Sequence, residues 1–178
     1  PLYSSAASDV YKRQPHKLST LGPKTAVGDV NNDGLDDFFI GGAMGTPGNL
    51  FIQKKSKKFI KSLQKVFESD QASEDIDAHF FDADGDGDQD LYVVSGGNEF
   101  KEIDTLLQDR LYLNNGKGNF VKSNNQLPEI INSGSCVKSA DYDNDGDLDL
   151  FIGGRLIPNQ YPYAPNSCLL YTSDAADE

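Results

Sequence analysis

Cysteine is nearly absent from this 178-residue chain, which holds only Cys136 and Cys168. Cys168 falls in a terminal stretch set apart below, so Cys136 stands alone and no disulfide framework can brace the fold. Long apolar runs are missing too, and no stretch approaches the roughly 18 residues that a membrane-spanning helix needs. Basic charge is scarce, with 16 Lys and Arg against 28 Asp and Glu and a net charge of −12. That balance argues against nucleic acid and anionic membranes as partners. The question becomes what the acid is for.

The two ends are read first, because segments foreign to a fold distort its composition. SSAASDVYKRQ, residues 4–14, and CLLYTSDAADE, residues 168–178, are encodable as reverse complements of one DNA string in shifted frames. That string resembles a transposon-based sequencing adaptor. Residues 1–14 and 168–178 are therefore expected to be adaptor-like, and 15–167 to be a fragment cut at both ends. Residues 15–167 hold 24 acids and 14 bases.

Internal repeats organise that segment. DVNNDGLDDFFIGG (29–42), DADGDGDQDLYVVSGG (82–97) and DYDNDGDLDLFIGG (141–154) share one template. It has Asp first, Asp or Asn third and fifth, Gly sixth, Asp ninth, then an apolar strand and Gly-Gly. The first aspartates stand 53 and 59 residues apart. A second element repeats without gaps at an offset of 61: LFIQKKSKKFIKS (50–62) on LYLNNGKGNFVKS (111–123). Each copy reads as strand, polar turn, strand. The expected unit is a short strand, an acidic loop, a second strand and another hairpin, with repeat cores at 25–62, 77–123 and 136–167. Four-stranded units of this length are what propeller blades look like, and such units bury their faces by stacking. The expected fold is all-β, a partial β-propeller of about two and a half blades.

In the second loop Asp82, Asp84, Asp86 and Asp90 would converge on one point. Two unit charges 4 Å apart repel by about 4 kcal/mol at an effective dielectric of 20. A hard divalent cation removes the conflict, and Ca2+ takes six to eight oxygens, including a seventh-place backbone carbonyl. Those carbonyls would come from Leu35, Asp88 and Asp147. The sixth-place Gly34, Gly87 and Gly146 suit a turn that other residues enter at a penalty. Zinc is disfavoured because no His or Cys lies in any loop. Magnesium prefers fewer protein ligands and more water. An EF-hand would place Glu twelfth, where this chain has Ile40, Val93 and Ile152. Fourteen of the acids in 15–167 lie in the loops, and the other 10 face 14 bases. The acidity is site chemistry.

GDVNNDGLDDFFIGG and SADYDNDGDLDLFIGG resemble the integrin-α-type FG-GAP repeat and the related VCBS repeat of bacterial surface proteins. GGNEF and LLQDRLYLNNGKGNF resemble the bacterial branch whose propellers often precede an ASPIC/UnbV-type module. The resemblance implies a seven-bladed propeller with calcium in some of its first hairpin turns. Carried over, the ligands are Asp29, Asn31, Asp33, the Leu35 carbonyl and Asp37. The matching sets are Asp82, Asp84, Asp86, Asp88 (carbonyl) and Asp90, then Asp141, Asp143, Asp145, Asp147 (carbonyl) and Asp149. Up to three Ca2+ sites follow. The first has one charge fewer at Asn31 and is expected to be the weakest.

The remaining polar features read as structure. His79 is expected to be a packed or edge histidine, Ser133 and Cys136 part of a strand start, and KKSKK (54–58) a solvated hairpin tip. No nucleophile–base pair is legible, so no enzyme activity is expected. The function expected is adhesion or display of an unknown protein or glycan ligand by an exported, extracellular or cell-surface protein. An accessory propeller of a calcium-dependent enzyme, or an architectural spacer, is the alternative.

Overall fold

The structure, a computed structural model, describes residues 23–170 apart from 99, 102, 103, 125, 161, 162 and 164, with 168–170 described as backbone. The adaptor-like residues 1–14, and 171–178, lie outside the described residues. Three antiparallel sheets follow one another along the chain. The first is β1 (Thr25–Gly28), β2 (Asp37–Ile40), β3 (Asn49–Gln53) and β4 (Phe59–Ser62). The second is β5 (Glu74–Phe81), β6 (Asp90–Gly96), β7 (Arg110–Leu113) and β8 (Val121–Ser123). The third is β9 (Ser133–Ala140), β10 (Asp149–Leu156) and β11 (Cys168–Leu170). Every strand pairs with its neighbour in sequence, so each unit is a meander. No helix among the described residues is long and apolar enough to cross a membrane.

Side-chain alternation explains why the sheets stack. Successive residues of a strand point to opposite faces. In the second sheet Phe80, Leu91, Val93 and Tyr112 face one way and join Ala26, Phe39 and Leu50 of the first sheet in one buried cluster. Phe81, Tyr92, Val94 and Leu111 face the other way and meet Val137, Leu150 and Ile152 of the third. The middle strand β6 is buried on both sides, which is why LYVV reads as an unbroken apolar run. The five-residue helix α1 (Lys65–Ser69) is far below the length at which a helix holds itself together. It persists because Phe67 enters the first cluster, edge-on to Phe39 and Tyr112. Burying a Phe side chain contributes roughly 1.5–3 kcal/mol.

The strands before the second and third loops are longer than the sequence suggests. β5 and β9 each run eight residues, and β5 starts at Glu74 rather than at 77. Asp75 falls in the stretch between the first and second repeat cores and Asp77 at the very start of the second, yet both are buried in β5. Their partners explain it. Asp75 takes the Arg110 guanidinium and the Gly42 N–H. Asp77 takes the Lys24 ammonium at 3.0 Å and the Val137 N–H at 3.2 Å, and so ties all three units. A Cβ on Gly42 would meet the Thr46 carbonyl oxygen at 1.9 Å, so the Gly-Gly after β2 lets the chain turn tightly.

In the third unit, the strand beside β10 is made by residues 168–170, which the sequence places outside the fold. An open strand edge offers backbone donors and acceptors to any extended segment.

Candidate metal centre

Each acidic loop closes the first hairpin of its unit. The closing pairs are Gly28 with Asp37, Phe81 with Asp90, and Ala140 with Asp149. The first-place aspartate leaves the hairpin just after one strand, and the ninth-place aspartate opens the next.

Within the loops, carboxylates organise the backbone. Asp29 accepts the N–H groups of Asn31, Asp33 and Gly34, the last at 2.7 Å. Asn31 Oδ1 accepts from Asp33, and Asp33 Oδ1 from Leu35, each at 3.0 Å. The second loop repeats this: Asp82 accepts from Gly85 and Gly87, Asp84 from Asp86, and Asp86 from Asp88. The third keeps Asp143 accepting from Asp145, and Asp145 from Asp147. The sixth-place glycines have positive φ, 81° at Gly34, 87° at Gly87 and 102° at Gly146. The fourth places are left-handed as well, at Asn32 (56°), Gly85 (76°) and Asn144 (65°). Glycine and asparagine are the residues that enter this region readily.

Carboxylate oxygens of Asp82, Asp84 and Asp86 lie within 4.8 Å of one another, and so do those of Asp141, Asp143 and Asp149. Two ligands about 2.4 Å from one ion can be at most about 4.8 Å apart, so this spacing suits calcium's 2.3–2.6 Å bonds. The donor set is all oxygen, which suits a hard cation. The first loop, with an amide at Asn31, forms no such three-carboxylate group among the described residues. Asp88 supplies a further sign of fit. It is buried, and its Oδ1 has no hydrogen-bond partner among the described residues. Burial, then the charges of Asp86, Asp84 and Asp82, raises its pKa above the ordinary carboxylate value. Leu35 at the same place is half-buried and Asp147 exposed.

The ninth-place aspartates do something the sequence did not show. Asp37 is fully buried and accepts the Val30 and Gln53 N–H groups on its two oxygens. Asp90, also fully buried, accepts from Ala83 at 2.9 Å and Asn114 at 2.7 Å. Asp149 accepts from Tyr142 at 2.9 Å. Each fastens the start of its loop to the strand beyond, and Asp37 and Asp90 also hold the third strand. Burial pushes Asp90 up to about 6, against the pull of its two N–H donors. Asp37 is raised for the same first reason.

The family described as FG-GAP-like repeat matches residues 29–93 and 82–152. The chain belongs to the FG-GAP-like repeat family. Each match opens on the first aspartate of one loop and runs through the next loop into its second strand. The two matches overlap on the second loop. FG-GAP-like repeats indicate a β-propeller-type repeat domain, and the three stacked sheets have that form. No curated protein matches the chain.

Several residues that hold this arrangement escaped the sequence reading. Asn114 and Gln64 bridge the first and second units through main-chain contacts. Asp109 and Arg110 are both buried beside Asp75 and Tyr92. The adjacent Asp-Arg looks like ordinary surface charge, and only the packing of β7 between two sheets puts it inside.

Proposed function

We propose that this is a calcium-binding, non-catalytic propeller-type segment of an exported protein, with the cation closing the first hairpin of each unit. The observation that carries it is the convergence of Asp82, Asp84 and Asp86 at the turn between β5 and β6. The first-, third- and fifth-place side chains, the seventh-place carbonyl and the ninth-place carboxylate would hold the ion. Its chemistry there is charge neutralisation. The chain's own contribution is to preset the turn through the left-handed fourth and sixth places.

A role in the calcium-rich extracellular space follows from mass action. At 100 times the dissociation constant a ligand adds about 2.7 kcal/mol of stability per site, a gain lost where calcium is scarce. Binding of a protein or glycan ligand is the role that fits a rigid stack of this kind. The closest approach to catalytic geometry is His79 Nε2, 2.8 Å from Ser139 Oγ. The ring stacks on Phe81 between two units, and burial lowers its pKa. Among the described residues no carboxylate hydrogen bond orients its other nitrogen, so this is a packing contact.

The test is thermal unfolding in EDTA, in calcium and in magnesium. Calcium should raise the melting temperature well above the EDTA value, and magnesium should do less. Coincident curves in EDTA and calcium would overturn the reading.

A further inference from the structure

We propose that Asn114 is a positioning residue that couples the first and second loops, so that a divalent cation in either favours a cation in the other. The inference rests on the metal-binding reading above. Asn114 follows β7 at the tip of the last hairpin of the second unit and is 9% exposed. Its Nδ2 donates to the Val30 carbonyl at 2.7 Å and to the Gln89 carbonyl at 3.1 Å. Its Oδ1 accepts from Asn115 at 2.8 Å and Gly118 at 3.1 Å. Both donors and both acceptor sites of the amide are therefore in use.

The two carbonyls belong to different loops. Val30 is second in the first loop, and its carbonyl shares a planar peptide with the N–H of Asn31. That N–H bonds Asp29, and Asn31 in turn accepts from Asp33. Gln89 is eighth in the second loop, and its carbonyl shares a plane with the N–H of Asp90. The Asn114 backbone N–H bonds Asp90 as well. One side chain thus fixes a peptide plane in each loop, and each plane carries an adjacent ligand. A cation that tilts one plane changes the amide that holds the other. The backbone bond is a repeat feature, since Gln53 at the equivalent place donates its N–H to Asp37 at 2.7 Å. The bridging amide belongs to Asn114.

The test is calorimetric titration of the full chain with calcium, comparing the unsubstituted protein with Asp29→Asn, Asn114→Ala and the double variant. Asp29→Asn disables the first loop. With Asn114 present it should also weaken calcium at the remaining sites by about fivefold or more. With Asn114→Ala it should weaken them no further. Asn114→Asp keeps the acceptor contacts, loses both donors and serves if the alanine variant does not fold. Gln64→Ala, which cuts a different bond to the same hairpin tip, should lower stability and leave the coupling intact. An Asp29→Asn effect of equal size with and without the Asn114 amide overturns the proposal. Absence of calcium binding by the unsubstituted chain instead overturns the metal-binding reading, and that result precedes any comparison of variants.

Discussion

Asp109 gives the sharpest test of the buried charges. Its carboxylate is 6% exposed and accepts the Ser95 N–H at 2.8 Å and the Tyr92 hydroxyl at 2.9 Å. Burial outweighs these donors and the neighbouring Arg110 charge, and pushes its pKa up to about 7 from 3.8. The folded protein therefore keeps a proton there that the unfolded chain loses near pH 4. Stability tied to this group is present below pH 4 and falls as pH rises toward 7. At about 1.36 kcal/mol per pKa unit, the fall amounts to roughly 4 kcal/mol. Asp109→Asn removes it. The amide oxygen can still accept from Ser95, and the amide N–H2 can donate to Tyr92, whose hydroxyl both donates and accepts. Thermal melts of both proteins at pH 5 and pH 8, in EDTA, read the effect. The fall is already about 1.7 kcal/mol at pH 5, so the variant should exceed the parent by about 3–7 °C there and by about 8–16 °C at pH 8, taking about 2–4 °C per kcal/mol for a chain of this size. Other titrating groups are common to both proteins and cancel in the difference. An offset of the same size at both pH values would refute the reasoning.

Three further outcomes are expected. Phe67→Ala should destabilise by about 3–5 kcal/mol in denaturant titration, because Phe39, Tyr112 and Phe120 close around that ring. Arg110→Ala should lower stability by about 3–5 kcal/mol at neutral pH by leaving Asp75 buried without its cation, and Arg110→Ala with Asp75→Asn should recover much of it. Asp86→Asn should raise the melting temperature in EDTA, since it removes one of three clustered carboxylates. The same variant should shrink the shift that calcium produces.

The loops were the most legible part of the chain. Phased aspartates and glycines are local, and local chemistry fixed both the turn and its flanking strands. The sixth-place glycine was read from its place in the turn. The left-handed fourth place was not, because Asn32, Gly85 and Asn144 do not share one residue type. The ninth-place aspartates were read as ligands alone. Their double acceptor role depends on N–H groups from Gln53 and Asn114, 16 and 24 residues away, which spacing along the chain cannot reveal. The burial of Asp75 and Asp77 is hidden from the sequence for a related reason. Three acids in SEDIDAHF suggest exposure, and only partners 33 to 60 residues distant make the burial of Asp75 and Asp77 tolerable.

The repeat also accounts for an oddity of the first sheet, which leaves Val27, Ile40 and Phe59 exposed at 63%, 37% and 46%. On the same face Phe38 stacks on Phe51 with centroids 4.8 Å apart, and Phe59 meets Phe38 edge-on at 4.8 Å. Aligned on the loops and on the offset of 61, Val27, Phe38, Ile40, Phe51 and Phe59 correspond to Phe80, Leu91, Val93, Tyr112 and Phe120. Those five residues are the surface that the second sheet turns on the first. An isolated apolar patch invites many explanations. A patch that matches a buried interface position by position has the composition of an inter-unit contact, because every unit in the stack is built to present that face to the one before it.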